Sequence, residues 1–186
     1  MLEKIISIDK ELLIYLNSLG SKSFDPFWLL ITKQVYWLPF FVLIFYVLYQ
    51  KLGRTNFFYA LGFITLLIVV CDQSANLFKH TFQRLRPCND PEIKSIIRVV
   101  KESSSFSFYS GHATNSMATT LFVYFIFRKY YKYALLLFFF PLIFAYSRIY
   151  LGLHFPGDIL TGYLFGALYG YTAYHLFNKY VLPSSR

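Results

Sequence analysis

The 186-residue chain reads as an all-α membrane protein, a bundle of about five transmembrane helices with an amphipathic N-terminal helix lying in the interface. Three observations predict this. Apolar residues make up 56% and aromatics 22%, while charged residues reach only 15%, against roughly 25% in ordinary soluble domains. Five segments meet or approach the roughly 20 apolar residues that a helix needs to cross a bilayer. Only one long polar stretch remains, His80 to Ser110. The same composition excludes a disordered chain, a collagen-like fibre and a highly charged coiled coil.

The elements follow in order. Residues 1–24 form the interfacial element: Ile5, Ile6, Ile8, Leu12, Leu13, Tyr15 and Leu16 recur at roughly helical spacing. Glu3, Asp9, Lys10 and Glu11 interrupt any apolar core that a secretory signal would need. A sixth span here is the alternative. The five spans are Phe27–Gln50, Asn56–Lys79, Gly111–Phe127, Tyr133–Leu153 and Asp158–Asn178. Short connections after the first and third make those pairs antiparallel hairpins. Lys33, near one end of the first span, can snorkel to the interface. Gly162, Gly166 and Gly170 form a small-residue stripe that lets another helix approach closely. With no internal repeat or low-complexity segment, residues 1–186 are one membrane-embedded domain, and residues 80–110 are the loop at one of its faces.

Eighteen Lys and Arg stand against nine Asp and Glu, a net charge of +9. Such a surplus suits an anionic membrane surface or an anionic substrate. Nucleic acid is excluded as a partner, because the charges sit between apolar runs rather than along a solvated face. With five spans, Lys51, Arg54, Arg128, Lys129, Lys132, Lys179 and Arg186 fall opposite the 80–110 loop. Short loops rich in Lys and Arg stay in the cytoplasm, so the long loop is placed outside, although it too is basic. Cys71 and Cys88 permit one disulfide but suggest neither a disulfide framework nor a zinc site.

Charges that a membrane helix should not contain carry the chemistry. Asp72, Lys79 and Arg86 are spaced by seven, one stripe of a continuous helix. Pro87 disfavours helix at Arg86, so the helix should end near Lys79 and the loop should carry Arg86 inward. In Ser110-Gly111-His112, Ser110 suits an N-cap, which leaves free backbone N–H groups for an anion. In the third cluster, Ser147-Arg148, His154 and Asp158, Pro156 starts the last helix, so His154 precedes it and Asp158 sits in its first turn. All three clusters fall on one face. Three cations, two histidines, a carboxylate and a helix N-terminus suit a tetrahedral oxyanion. Phosphoryl transfer mostly requires charge neutralisation and in-line positioning. One histidine held by a carboxylate can be the nucleophile and a second can protonate the leaving oxygen, so a phosphatase needs no metal and no cofactor here.

Lys79-x6-Arg86-Pro87, Tyr109-Ser110-Gly111-His112 and Ser147-Arg148-x5-His154-x3-Asp158 resemble, in order, the three-part signature of the type 2 phosphatidic acid phosphatases, relatives of the vanadium-dependent haloperoxidases. The resemblance implies that His154 attacks phosphorus and forms a phosphohistidine, with Asp158 holding its ring. His112 would protonate the leaving group. Lys79, Arg86, Arg148, Ser110 and the Gly111 amide would hold the phosphoryl oxygens, with no metal. Tyr109 stands where the family usually has proline, which puts the rigidity of the loop in question rather than the chemistry.

Blander readings stand beside these. Arg148 would snorkel, His112 would cap a helix, and His154 with Asp158 would be an ordinary interfacial pair. His80 and His175 match no motif position and read as bystanders, and Arg84 as a loop cation that touches at most a headgroup. Asp72 reads as one member of a structural ion pair, with a substrate-side role as the alternative. The function expected is hydrolysis of a lipid phosphate monoester or diphosphate at the outer face of a bacterial inner membrane. Undecaprenyl diphosphate, phosphatidylglycerophosphate, phosphatidic acid and lipid A phosphate are the candidate substrates. A lipid phosphotransferase, a haloperoxidase and a non-enzymatic anion transporter are the rivals.

Overall fold

The computed structural model describes residues 2–182, and among them every regular element is helical. Arg186, counted above among the basic residues of one face, lies outside the described residues. The α-helices are α1 (Leu2–Ser18), α2 (Asp25–Ile31), α3 (Leu38–Phe82), α4 (Gly111–Phe127), α5 (Phe139–Tyr150) and α6 (Pro156–Tyr180).

α3 is two helices in one. Gly53, at φ 72° and ψ 170°, interrupts it in a conformation that glycine adopts without steric cost. A straight helix would hold Leu38 about 60 Å from Lys79, yet both line one cavity. The chain therefore doubles back at Gly53, and the two limbs form the hairpin expected there. The stretch 34–89, which holds both limbs, is long and apolar enough to cross a membrane.

Two expected spans are broken. Phe27–Gln50 divides into α2, an extended Lys33, a 3₁₀ turn over Gln34–Trp37 and the start of α3. Pro26 and Pro39 sit at the first helical positions, where a missing N–H costs nothing, so each starts a helix afresh. α2 instead lies against α5, with Trp28 stacked on Tyr150 at a centroid distance of 5.2 Å. Tyr133–Leu153 likewise divides into a 3₁₀ segment, Ala134–Phe138, and the short α5. α3 also runs on to Phe82 rather than ending near Lys79. It stops at Gln83, a left-handed residue whose N–H donates to the Lys79 carbonyl at 3.0 Å.

α4 is the centre of the bundle and packs most extensively on α6. The glycine stripe explains why. A methyl at Gly162 would sit 2.7 Å from the Ser110 carbonyl oxygen, and Gly166 and Gly170 meet the Thr114 and Ala118 carbonyls as closely. Leu160, Leu164 and Leu168 point the other way and are exposed. An apolar outer surface of this extent is one for lipid rather than water.

At one end of the bundle, Lys51 lies over the rings of Tyr130 and Tyr131, and Lys129 Nζ donates to Asn178 Oδ1 at 2.8 Å. The Gly53 turn, the α4–α5 connection and the end of α6 therefore share that end, and the 83–110 loop occupies the other. α1 is strapped across this loop. Asn17, buried, donates to the carbonyls of Arg98, Ile149 and Tyr150, and accepts from the Arg98 N–H at 2.7 Å. Lys10 pairs with Asp90 and Glu92. Ile5, Ile8, Leu12 and Tyr15 stay exposed on the outer side of α1. Cys71 and Cys88 are both buried and free.

The α4–α6 contact makes a direct prediction. Gly166→Ala places a methyl against the Thr114 carbonyl and should cost about 1–3 kcal/mol, the usual penalty of overpacking. Thermal unfolding in detergent should show a lower Tm than wild type; an unchanged Tm would contradict the close approach.

Candidate active site

His154 owes its place to the turn that ends α5. Gly152 (φ 75°) takes the left-handed position after the helix, and the N–H groups of Leu153 and His154 fold back on the Arg148 carbonyl at 2.9 and 3.3 Å. The turn thus fixes Arg148 and His154 relative to one another. Pro156 then opens α6, and Asp158 in its first turn accepts from the Phe155 N–H at 2.9 Å.

The ring of His154 is fully buried and held on both sides. Arg86 Nη1 lies 3.0 Å from Nε2, and Asp158 Oδ2 lies 3.4 Å from Nδ1. A guanidinium can only donate, so Nε2 carries the lone pair and Nδ1 the proton. Burial, then the charges of Arg86, Arg148 and Lys79, hold the ring pKa well below its ordinary value. His154 is therefore neutral at pH 7, with the Nε2 lone pair accepting from Arg86.

The Asp158 carboxylate is completely enclosed. Oδ2 is shared by the Phe155 N–H, the Ser107 hydroxyl and the imidazole, and Oδ1 takes Arg84 Nη1 at 2.9 Å. Arg86 is locked by the Ser105 carbonyl and hydroxyl, both at 2.9 Å, and by the Leu153 carbonyl at 3.0 Å. Arg148, 6% exposed, donates from Nη1 to the Thr32 hydroxyl, while its Nε is buried with no acceptor among the described residues. Ser110 is the N-cap of α4, its hydroxyl accepting from the Ala113 N–H at 3.4 Å and its own N–H donating to the Asp158 carbonyl at 3.1 Å.

Beside this cluster a cavity of about 480 Å³ runs between α3, α4 and α5. Lys79, Gly111 and His112 line it, and His112 stacks on Phe144 at 5.3 Å. One wall is apolar, with Phe41, Ile44, Phe45, Phe140 and Phe144. The buried Arg86, Arg148, His154 and Asp158 stand behind the polar end rather than on its lining.

Tyr109, in the position where proline was expected, is buried; its hydroxyl donates to Ser74 at 2.6 Å and its ring stacks on Phe165 at 5.0 Å. Packing holds this loop where a proline would have stiffened it. Asp72 makes no ion pair among the described residues; it accepts from Asn115 Nδ2 at 2.6 Å and lines the cavity. That corrects the structural ion pair expected for it: Lys79, seven residues along the same helix, is about 10 Å away along its axis. His80 is exposed at the end of α3, and His175 stacks on Tyr171 near the far end of α6.

Three contributors escaped the sequence reading. Arg84, read equally as a headgroup contact or a solvated loop cation, bridges Asp158 and Asp9 (2.7 Å) and lies 3.8 Å from the Phe155 ring centroid. Asp9 in turn accepts the Gly157 N–H at 2.7 Å. Ser107 touches both members of the His154–Asp158 pair. The available signal was Asp9 itself, an acid on the helix face that also carries Leu13 and Asn17 inward.

Comparison with known proteins shows what the chain is similar to. The PAP2 superfamily pattern matches residues 55–181. A lipid A 4'-phosphatase of Bacteroides thetaiotaomicron is 32% identical over 185 residues, covering 96% of this chain and 81% of the relative. A lipid A 4'-phosphatase of Porphyromonas gingivalis is 29% identical over 180 residues, covering 95% of this chain and 75% of the relative. The crystal structure of the first transmembrane PAP2 type phosphatidylglycerolphosphate phosphatase from Bacillus subtilis superposes with a TM-score of 0.74, covering 98% of this chain and 90% of that one at 20% identity. Identity that low speaks to the fold alone.

Arg84 gives the prediction. Arg84→Ala removes the cation that fixes Asp158 while leaving the cavity lining intact. It should lower kcat by about 10- to 100-fold, the cost of a small misplacement, with KM changed less than threefold. Wild-type kcat in a folded Arg84→Ala protein would contradict the assignment.

Proposed function

The chain belongs to the PAP2 superfamily, and on that footing we propose that it removes a phosphate monoester from a lipid through a phosphohistidine at His154. The family and the two lipid A 4'-phosphatase relatives support a hydrolase of lipid phosphates, with the lipid A phosphate as its foremost substrate. The observation that carries the mechanism is the ring of His154, neutral, with its Nε2 lone pair turned to the Arg86 guanidinium and its Nδ1 proton to Asp158.

In the proposed reaction Arg86 Nη1 turns from Nε2 to a phosphoryl oxygen, the freed Nε2 attacks phosphorus, the P–N bond forms and the P–O bond to the lipid breaks. His112, at the cavity wall, gives its proton to the departing oxygen. Water then attacks phosphorus while His112 takes its proton, the P–N bond breaks with its electron pair returning to Nε2, and phosphate leaves. Asp158 keeps the imidazole in one orientation and stabilises the charge it gains. Lys79, Arg86, Arg148, the Ser110 hydroxyl and the Gly111 N–H neutralise the phosphoryl oxygens. The buried Nε of Arg148 is a donor without an acceptor, which suits this role. No step calls on a metal. The apolar wall takes the acyl chains.

Five crossings fit the elements best: the two limbs of α3, then α4, the 3₁₀ segment with α5, and α6, with α1 and α2 at the interface. Lys51, Arg54, Arg128, Lys129, Lys132 and Lys179 lie away from the site. Short basic connections stay cytoplasmic. This supports an inner-membrane protein whose site faces outward.

The test is phosphate release by detergent-purified protein from lipid A and from phosphatidic acid, with His154→Ala alongside. Wild type should release phosphate in the presence of EDTA, and His154→Ala, folded, should release none above background. Retained activity in His154→Ala, or loss to EDTA restored by a divalent ion, would overturn the mechanism.

A further inference from the structure

The cavity's polar side is chemically one-sided. Asn115 spends an amide N–H on Asp72 Oδ1 at 2.6 Å. Thr119 donates its hydroxyl proton back to the Asn115 carbonyl at 2.7 Å, and Ser116 donates to the Ala113 carbonyl at 3.1 Å. What remains unused is mostly lone pairs: Asp72 Oδ2, the two hydroxyl oxygens and Asn115 Oδ1. That last atom is buried with no donor among the described residues, and all four side chains line the cavity. Asn76 and Thr120 on the same lining can give or take a hydrogen bond.

Asp72 needs explaining on its own. It is a carboxylate within the second limb of α3, about 10 Å below Lys79 along the helix axis, with no cation within ion-pair distance among the described residues. Its side chain is accessible rather than buried, and an ionisable group inside an apolar span marks the path of a ligand. An acceptor wall starting next to His112 and reaching Asp72 matches a ligand bearing donors beside its phosphate.

We propose that Asp72, Asn115, Ser116 and Thr119 read hydrogen-bond donors on the substrate headgroup, so that the preferred lipid carries amide N–H or hydroxyl groups next to the phosphate, as an acylated amino sugar does. This rests on the lipid phosphatase reading above and adds the selection rule. A glycerol diester offers this wall only further acceptors, and a polyprenyl chain offers it nothing polar. Either would leave the buried Asn115 Oδ1 and the second Asp72 oxygen without a donor, a basis for rejection.

The experiment compares kcat/KM for an N- and O-acylated glucosamine 4-phosphate with that for dioleoyl phosphatidic acid, in wild type, Asp72→Leu, Asp72→Asn and Asn115→Leu. Detergent gel filtration and Tm confirm folding. Wild type should prefer the amino-sugar lipid. Each substitution should lower kcat/KM for that lipid about tenfold or more, mainly through KM, so that the preference collapses. Equal losses on both lipids, no loss on either, or a wild type without preference would overturn the proposal while phosphatase activity stands. Release from neither lipid by wild type would overturn the underlying reading instead.

Discussion

The structure turns on charge buried in an apolar bundle. Arg86 and Arg148 are 5% and 6% exposed, and neither has a carboxylate within ion-pair distance among the described residues. Burying an ion costs several kcal/mol unless it is paired. The one enclosed carboxylate among the described residues, Asp158, is already engaged by Arg84, Ser107 and the Phe155 N–H. The fold therefore keeps two guanidinium groups positioned by neutral oxygens, from Ser105, Leu153 and Thr32, beside a neutral imidazole. A dianionic phosphoryl group is the partner such a cradle favours.

Much of the remaining architecture serves to hold that cradle still. The Gly152 turn ties His154 to Arg148, and the glycine stripe of α6 brings Asp158 against the start of α4. From outside, α1 closes the arrangement through Asp9, which reaches both Arg84 and the Gly157 N–H, while Lys10 and Asn17 fasten the helix to the long loop. The N-terminal helix thus reaches the histidine's carboxylate through a single arginine.

The motif residues were legible in the sequence because each breaks a local rule: a charge inside an apolar run, or a serine and a proline where a helix must start. Ser110 as N-cap and Pro156 as helix starter follow from backbone chemistry alone, and both are where that chemistry puts them. Helix continuity was less legible. Hydropathy does not distinguish a straight span from one interrupted at Lys33 or preceded by a 3₁₀ turn, and Pro26 and Pro39 were the overlooked signals. Arg84, Ser107 and Asp9 were illegible for another reason. Their roles arise only when residues about 50 to 150 apart in sequence meet, as in the Asp9 contact to Gly157. Asp72 stood out as anomalous, but its partner Asn115 lies on a different helix.

The central claim is a double displacement through His154 Nε2, and the stereochemical course at phosphorus tests it without requiring the intermediate to accumulate. A lipid phosphorothioate, chiral at phosphorus through its sulfur and two oxygen isotopes, would be hydrolysed by the wild-type protein in water carrying the third oxygen isotope, and the configuration of the released inorganic thiophosphate determined. Two in-line displacements predict retention of configuration. Inversion would mean that water attacks phosphorus directly, and would contradict a covalent role for His154.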